Sequence, residues 1–504
     1  MNSTDGSAVK LLSFSWHEVQ QPFMLALWLV VANAFKAVFS HCTWLAIRVP
    51  SSTALVAFGM LIGAVLRVSD VPPLHSALSS HAFFLFLLPP VILDAGYFMP
   101  NRSFFASLPA ILLFAVGLTI WNTVTMGIGE KRVNHFIFVH VFGEALFNDA
   151  IAVVLFNLFK ALLEFSDDGE LRLSAETSGT LVASFVLVAV LSVVAGVVAG
   201  AIASVATRLA RDEGAVASVL AVSLPFAAYL MAHGSGLSPI ITIAICGMFM
   251  RRHIESNVSR GSGEALKAFI KAASHSSEAV AYLFLGFAAF SSAADWSLLF
   301  SFSSSSTLIL TTLLLTFVLR PIALFPCCAL LNGLGIGPQS LFWKDQLLLW
   351  FSALRGAIAF ALASSLPDSL EHKPLFVTAT LVVVYVNVFV QGILIRPLVA
   401  RLGVECAEPD VIIERSIEVR EDSACKSGSR LYEWFEDLNA RRLAPFLNGA
   451  VSKGNEKKEL VARAGIVITS KNNATELEPV VEQMAKILRE NLRSDSNGSV
   501  VTGV

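Results

Sequence analysis

Long apolar stretches are the feature that most constrains this chain. About twelve of them lie within the first 400 residues, and most approach the roughly 17–25 residues that a helix needs to cross a membrane. Their approximate positions are 23–40, 53–69, 80–97, 104–127, 134–162, 179–205, 216–233, 237–251, 276–292, 306–333, 345–366 and 375–398. Because helices satisfy their own backbone hydrogen bonds in lipid, the pattern predicts an all-α polytopic membrane protein.

The composition excludes the main soluble classes. Hydrophobic residues make up 55% of the 504-residue chain and charged residues only 15%, whereas soluble proteins carry about 25% charged residues. The charges are concentrated after Leu402, which predicts an N-terminal polar segment (1–22), a transmembrane domain (23–400) and a cytosolic regulatory tail (401–504). A formal net charge of -2 gives no reason to expect nucleic acid. Neither an enzyme activity nor a cofactor is predicted.

Charged flanks predict the orientation of the stretches, because basic loops stay in the cytosol. The basic segment 251–275 is predicted to be a cytosolic loop, and the acidic segment after residue 163 is predicted to lie outside. Upstream this alternation fails. Arg102 and Lys131 flank the single stretch 104–127, and their two ends cannot both be cytosolic. One crossing is therefore predicted to be missing just before Lys131.

Ionisable residues within apolar stretches are candidates for function. A charge at the centre of a bilayer costs several kcal/mol, so such residues are rare without a role. They are Asp94, Glu144, Asp149, Glu278, Arg320, Arg355 and Arg396.

The segment 142–156 (FGEALFNDAIAVVLF) is the densest in polar groups. Glu144 and Asn148 are four residues apart and share one helical face, and Asp149 lies about 100° around the helix from Asn148. A buried carboxylate exchanges a proton for a cation near neutral pH when burial raises its pKa. Sodium also prefers oxygen ligands. Asp149 with Asn148 is therefore the predicted sodium and proton site, whereas Glu144 has the alternative of fixing helix register.

Arg355, in the motif LRGAIAF, needs a buried anionic partner because a guanidinium is always charged. Glu144 is the predicted partner. Glu278 with Arg396 is a second, subsidiary pair, and Asp94, after Pro89-Pro90, is a further secondary site residue. Arg320 is expected to snorkel to a membrane interface.

At these residues the chain resembles the animal sodium/proton exchangers of the monovalent cation:proton antiporter-1 family, most closely their plasma-membrane subgroup. The likeness runs in order over about 22–400. The motifs that carry it are SWHEVQQPFMLALWLVVA (15–32), FFLFLLPPVILDAGYFMPNRSFF (83–105), FGEALFNDAIAVVLF (142–156), SSEAVAYLFLGF (276–287), KDQLLLWFSALRGAIAF (344–360) and VQGILIRPLV (390–399).

The resemblance implies exchange of one sodium ion for one proton, and so a role in intracellular pH, sodium content and cell volume. It implies the sodium/proton antiporter fold, with thirteen helices in two inverted repeats plus a lead helix, in a homodimer. The ion-binding aspartate of the family falls on Asp149, after Asn148, and its paired glutamate and arginine fall on Glu144 and Arg355. The inhibitor site of the subgroup falls on residues 87–90 and the Glu278 region.

The resemblance also implies partners for the tail, namely a calcineurin-homologous or calmodulin-type protein and membrane lipid. Two segments of the tail, Arg430–Leu447 and Glu476–Leu492, are predicted amphipathic helices of the kind that dock such partners. The plasma membrane is the expected location, with an endosomal membrane as the alternative.

One departure from the family coincides with the failure of the charge pattern. Between Asn122 and Val133 the family has a further span with an aspartate-proline motif, and this chain passes directly across the gap. About twelve spans are therefore predicted here. A transport-inactive, span-deleted isoform that acts as a dimerisation partner is the main alternative function, and a potassium/proton exchanger of an organelle is another. A cation channel is disfavoured because no TVGYG-type filter is present.

Overall fold

The computed structural model is helical in nearly every part of the chain that it describes. It describes residues 16–69, 80–99, 148–158, 175–290, 295–300, 304–334, 343–351, 356–367 and 372–402, with isolated residues between these ranges and at Leu443 and Leu447. All of them belong to the first of two units, Met1–Asn448, and the second unit, Gly449–Val504, lies outside the described residues. The predicted tail boundary at residue 400 stays a prediction.

The principal helices of the described residues are numbered in chain order. They are α1 (Trp16–His41), α2 (Thr43–Arg48), α3 (Ser51–Val68), α4 (Leu88–Phe98), α5 (Asn148–Leu158), α6 (Ala175–Leu209), α7 (Gly214–Gly234), α8 (Pro239–Asn257), α9 (Arg260–Phe287), α10 (Ser304–Leu334), α11 (Trp343–Phe351), α12 (Ala357–Ser364), α13 (Lys373–Val386) and α14 (Gly392–Leu402). The predicted all-α class is confirmed for the described part of the chain.

Seven of the described helical segments are long and apolar enough to cross a membrane, judged by length and composition. They are Phe23–His41, Ser51–Val68, Ser80–Phe98, Val182–Leu209, Gly214–Gly234, Ser305–Leu330 and Lys373–Leu394. Each coincides with a predicted apolar stretch, so the multi-pass class is confirmed. Most of the predicted stretches 104–127 and 134–162 lies outside the described residues, and the number of spans stays a prediction.

The basic segment 251–275, predicted as a loop, is almost entirely helical. Since α8 ends at Asn257 and α9 begins at Arg260, only a two-residue connection remains. The Oγ of Ser259 accepts a hydrogen bond from the backbone N–H of Ser262, 3.4 Å away, and so caps α9. The first turns of α9 are amphipathic, so their apolar residues do not form a continuous run in the sequence. The loop prediction was wrong, and the sidedness of its charges stays a prediction.

Two π-helices interrupt the α-helical runs. The first π-helix, Phe83–Leu87, precedes α4, where Pro89 and Pro90 lie at the first positions of the helix. Proline lacks an N–H and disturbs the preceding turn, and a π-helix is one way for a helix to accommodate that disturbance. The second π-helix, Asn387–Gln391, joins α13 to α14.

Glycines allow two pairs of helices to approach closely. A Cβ atom added at Gly59 of α3 would overlap the carbonyl oxygen of Leu283 in α9, and one added at Gly286 would overlap the carbonyl oxygen of Val56. α4 approaches α8 in the same way, since a Cβ atom at Gly96 would lie 2.5 Å from the carbonyl oxygen of Ala244. These crossings fix α3, α4, α8 and α9 in one packed group, as small residues do in membrane helix bundles.

The centre of the fold is formed by α4, α8 and α9. α8 packs against α4 and α6 and is buried along nearly its whole length, and α9 packs against α3 and α4. By contrast, α6 and α10 expose large apolar side chains, including Val182, Leu187, Leu310 and Leu314. Such surfaces are stable in contact with lipid rather than water, which agrees with their assignment as spans.

One residue of the predicted amphipathic segment 430–447 contacts this helical group. Leu447 is 2% exposed, and its carbonyl oxygen accepts a 3.1 Å hydrogen bond from Nδ2 of Asn257 in α8. The same Nδ2 also donates a 3.0 Å hydrogen bond to the carbonyl oxygen of Ser204 in α6. The end of this segment is therefore held at the junction of α6 and α8.

Candidate ion-binding site

The predicted ion-binding pair lies at the start of the described part of α5. Asn148 is 6% exposed and Asp149 is half-buried, and both make polar contacts. The next turns place Ala150, Ile151 and Val153 in the hydrophobic core. A carboxylate and an amide oxygen therefore lie in a helix whose following turn packs into the hydrophobic core.

Glu144 and Arg355 both lie outside the described residues, so their pairing stays a prediction. The backbone directly after Arg355 is described. Gly356 has an extended backbone, with φ −111° and ψ −172°, and α12 begins only after it. The predicted stretch 345–366 is therefore an interrupted helix. Interrupted helices within membranes leave carbonyl groups and helix ends free to bind ions.

Asp94 lies in α4 and faces a polar stripe on α9. The side chain of Ser274 is within hydrogen-bonding reach of its carboxylate, and the charges of His275, Glu278 and Lys271 act on it. Within the described part of the chain, Oδ1 of Asp94 is buried and has no hydrogen-bond partner. The structure therefore brings Asp94 and Glu278, two residues predicted separately, into one cluster.

The stripe on α9 continues toward α1. Nδ1 of His275 lies 3.8 Å from Oε2 of Glu278, and the charge of Lys36 in α1 also acts on His275. Oγ of Ser276 donates a 3.3 Å hydrogen bond to Oδ1 of Asn33, again in α1. Three helices thus contribute titratable or polar groups to a common region, as an ion route through a bundle requires.

Sequence reasoning missed most of this stripe, although a signal for it was present. Lys271, Ser274, His275 and Glu278 follow one another at intervals of three, one and three residues, which places them on a single helical face. Because the apolar residues of the first half of α9 occupy one face only, apolar-run length predicts a loop there and does not detect this periodicity. Arg396, the predicted partner of Glu278, lies in α14, and that pairing stays a prediction.

Arg320 corrects another expectation. Its side chain is 1% exposed and does not reach an interface, and its Nη2 donates a 3.0 Å hydrogen bond to the carbonyl oxygen of Leu349. Leu349 lies in α11, and its carbonyl oxygen is an acceptor that a buried guanidinium requires. The snorkelling prediction was wrong because this tertiary contact provides the guanidinium with a buried acceptor.

Comparison with known proteins gives a family match along most of the chain. The model of the family described as "Sodium/hydrogen exchanger, transmembrane" matches residues 31–129 and 128–401. The probable Na(+)/H(+) antiporter nhx-9 of Caenorhabditis elegans is 33% identical over 488 aligned positions, which cover 87% of this chain and 71% of that relative. Human sodium/hydrogen exchanger 3 is 31% identical, over 80% of this chain and 52% of its own length.

Among solved structures, the sodium proton antiporter MjNhaP1 from Methanocaldococcus jannaschii at pH 8 matches with a TM-score of 0.49 and 14% identity. The matched region covers 74% of this chain and 99% of the MjNhaP1 chain.

The division of the family match falls between Asn122 and Val133. The family match is divided into two stretches that meet at residues 128 and 129. The alignment with nhx-9 has 488 positions but covers only 87% of a 504-residue chain, so tens of its positions have no counterpart here. The division at residues 128 and 129 agrees with the predicted loss of a span there, and the alignment length agrees with relatives that are longer somewhere within the matched region.

Proposed function

The chain belongs to the sodium/hydrogen exchanger family, and from this membership we propose that it exchanges sodium ions for protons across a membrane. The exchange is electroneutral and draws on the sodium gradient, and its role is regulation of intracellular pH, sodium content and cell volume. The observation that carries the proposal is the family match over 31–401, together with the buried Asn148 and the half-buried Asp149 inside that range.

In the proposed mechanism Asp149 binds sodium and a proton alternately. A half-buried carboxylate in a packed helix loses part of its hydration, so it stays ionised when sodium neutralises it and takes up a proton when sodium leaves. The amide oxygen of Asn148 contributes a further ligand for sodium. Glu144 and Arg355 form an ion pair that holds the geometry of the site and take no part in the exchange itself.

The cluster around Asp94 and Glu278 is proposed to line the route to this site. Its two carboxylates attract cations, while Lys271 and His275 limit the net negative charge so that sodium does not bind there permanently. Binding that is weak enough to release the ion is a requirement of any conduction path. Arg396 is proposed to pair with Glu278 and so to reduce the negative charge along the same route.

The proposed assembly is a homodimer in the plasma membrane, with an endosomal membrane as the alternative location. The tail is proposed to bind lipid and a calcineurin-homologous or calmodulin-type protein. Nδ2 of Asn257 donates a hydrogen bond to the carbonyl oxygen of Leu447, at the end of segment 430–447. This contact supports a tail that is in direct contact with the membrane-domain helices.

A second candidate function is a span-deleted isoform that dimerises without transporting ions. It is favoured by the division of the family match at residues 128 and 129 and by the alignment positions that this chain lacks. The missing segment would remove the second carboxylate and one broken helix from the ion site. A potassium/proton exchanger of an organelle membrane is a further alternative, and ion substitution in the same assay separates it from sodium exchange.

The experiment that tests the proposal is recovery of intracellular pH after an acid load in exchanger-deficient cells that express this chain. Recovery is measured with and without external sodium, and surface biotinylation measures delivery. We expect sodium-dependent recovery that Asp149→Asn abolishes without loss of surface protein. Asp212→Asn, which neutralises an exposed carboxylate in the α6–α7 connection, is the matched control and should recover normally.

Each outcome separates the candidates. Recovery that persists in Asp149→Asn contradicts the assignment of the site. Surface delivery of the wild-type chain without any recovery supports the transport-inactive isoform. Recovery with potassium but not with sodium supports the organellar exchanger.

A further inference from the structure

Two buried amide side chains lie in the second π-helix, in the last third of a helical run long and apolar enough to span a membrane. Asn387 is 1% exposed and Gln391 is 4% exposed, and their spacing of four residues places them on one side of the helix. Within the described residues, Nδ2 and Oδ1 of Asn387 and Oε1 of Gln391 have no hydrogen-bond partner. The amides belong to the stretch Lys373–Leu394, so the polar groups lie at membrane depth.

Neighbouring contacts hold this segment in place. Oγ1 of Thr53 in α3 donates a 3.0 Å hydrogen bond to the carbonyl oxygen of Val388, and a Cβ atom added at Gly392 would lie 3.1 Å from the same Oγ1. One turn earlier, the hydroxyl of Tyr385 donates a 2.7 Å hydrogen bond to the carbonyl oxygen of Leu285 in α9. The amide pair therefore occupies a fixed position beside the contact of α13 and the second π-helix with α3 and α9.

The chemistry of the two amides limits what they can bind. Buried polar groups that lack a partner destabilise a fold, and more so where no solvent replaces the missing hydrogen bonds. An apolar occupant would leave every one of these atoms unpaired. A bare cation would satisfy the two oxygens but would be repelled by the N–H groups of Asn387. Water both donates and accepts, and buried sites with two or more polar partners are where proteins hold it.

We propose that Asn387 and Gln391 bind water, so that the second π-helix is a hydrated site within the last described span. π-Helices lie frequently at functional sites and at points where a helix bends around an inserted water. A hydrated site here makes this span easier to open locally than the helices on either side of it. The inference does not depend on whether the chain transports ions.

Hydrogen–deuterium exchange of the full chain in lipid nanodiscs, read by mass spectrometry, tests this site. We expect peptides over residues 387–392 to take up deuterium about tenfold faster than peptides over 379–384 of the same span, since hydrated and locally opened segments exchange first. In the double variant Asn387→Leu with Gln391→Leu this difference should disappear. Thr380→Val, which removes a hydroxyl that bonds to its own helix at 2.8 Å, is the matched control and should leave uptake unchanged.

Thermal stability provides a second measurement with a definite sign. If the site is dry, the leucine variants remove unpaired amides and should raise the midpoint of unfolding. If it is hydrated, they remove satisfied hydrogen bonds and should lower it. Equal protection of the two peptides in the wild-type chain overturns the proposal, and so does a double variant that is more stable. If that variant does not reach the membrane, the comparison of deuterium uptake between the two wild-type peptides still tests whether the site is hydrated.

Discussion

The hydroxyl of Tyr229 in α7 donates a 2.6 Å hydrogen bond to the carbonyl oxygen of Phe84, inside the first π-helix. Thr53 makes the corresponding contact with Val388 inside the second π-helix. In both segments a carbonyl group is thus bonded by a hydroxyl from another helix. A π-turn departs from the regular i to i−4 ladder, so its carbonyl groups are available to partners elsewhere in the bundle.

Tyr229→Phe should lower the free energy of unfolding by about 1–2 kcal/mol, because it leaves the carbonyl oxygen of Phe84 buried without this donor. The ring stays in place, so packing is conserved. The measurement is the midpoint of thermal unfolding of purified protein in detergent. Ser223→Ala in the same helix is the control, since the hydroxyl of Ser223 is exposed and bonds to its own helix. Equal midpoints for both variants would contradict the role of Tyr229.

Gly59→Ala and Gly286→Ala should each destabilise the bundle by about 2 kcal/mol or more, because the added Cβ atoms meet backbone carbonyl oxygens that cannot move aside. Folded protein is measured by size-exclusion chromatography after solubilisation. Gly263→Ala, in the same helix as Gly286, has no neighbouring heavy atom within 4 Å and should be neutral or stabilising. Normal folding of the Gly59 and Gly286 variants would show that α3 and α9 do not cross so closely.

Asp94→Asn should raise the sodium concentration needed for half-maximal exchange by about threefold to tenfold, since it removes one negative charge beside the proposed route. The maximal rate and surface delivery should change little. The measurement is the sodium dependence of pH recovery. Ser274→Ala keeps the carboxylate and should have a smaller effect. Glu264→Gln neutralises an exposed carboxylate on α9, the helix that carries Ser274, and is the control. An unchanged sodium dependence in Asp94→Asn would place the route elsewhere.

An added membrane span with one carboxylate, inserted between Asn122 and Val133 where the resemblance implies one more span, should raise the rate of ion exchange at least several-fold. The added span restores the orientation that the charge pattern requires. An inserted apolar span of equal length that lacks carboxylates separates the two effects, because it restores orientation without adding a cation ligand. A variant with the added span that is no faster than the present chain would show that a further span at this place is not needed for exchange.

Much of the fold class could be predicted from the sequence, because hydropathy acts locally. A run of about twenty apolar residues specifies a membrane helix whatever surrounds it. The seven described spans therefore coincide with predicted stretches, and the family followed from motifs such as FGEALFNDAIAVVLF. Amphipathic helices were harder to predict from hydropathy. The first half of α9 was predicted as a loop because its apolar residues occupy one face only.

Contacts between distant residues were decided only by the tertiary structure. No local pattern indicates that Asp94 meets Ser274, that Arg320 is buried against Leu349, or that Tyr229 bonds to the first π-helix. Each contact joins helices whose relative rotation depends on side chains throughout the bundle. The sequence by itself determined which segments enter the membrane and which polar residues accompany them. Packing determined which of those polar residues meet, because the rotation and spacing of the helices decide which polar side chains come within hydrogen-bonding distance across the bundle.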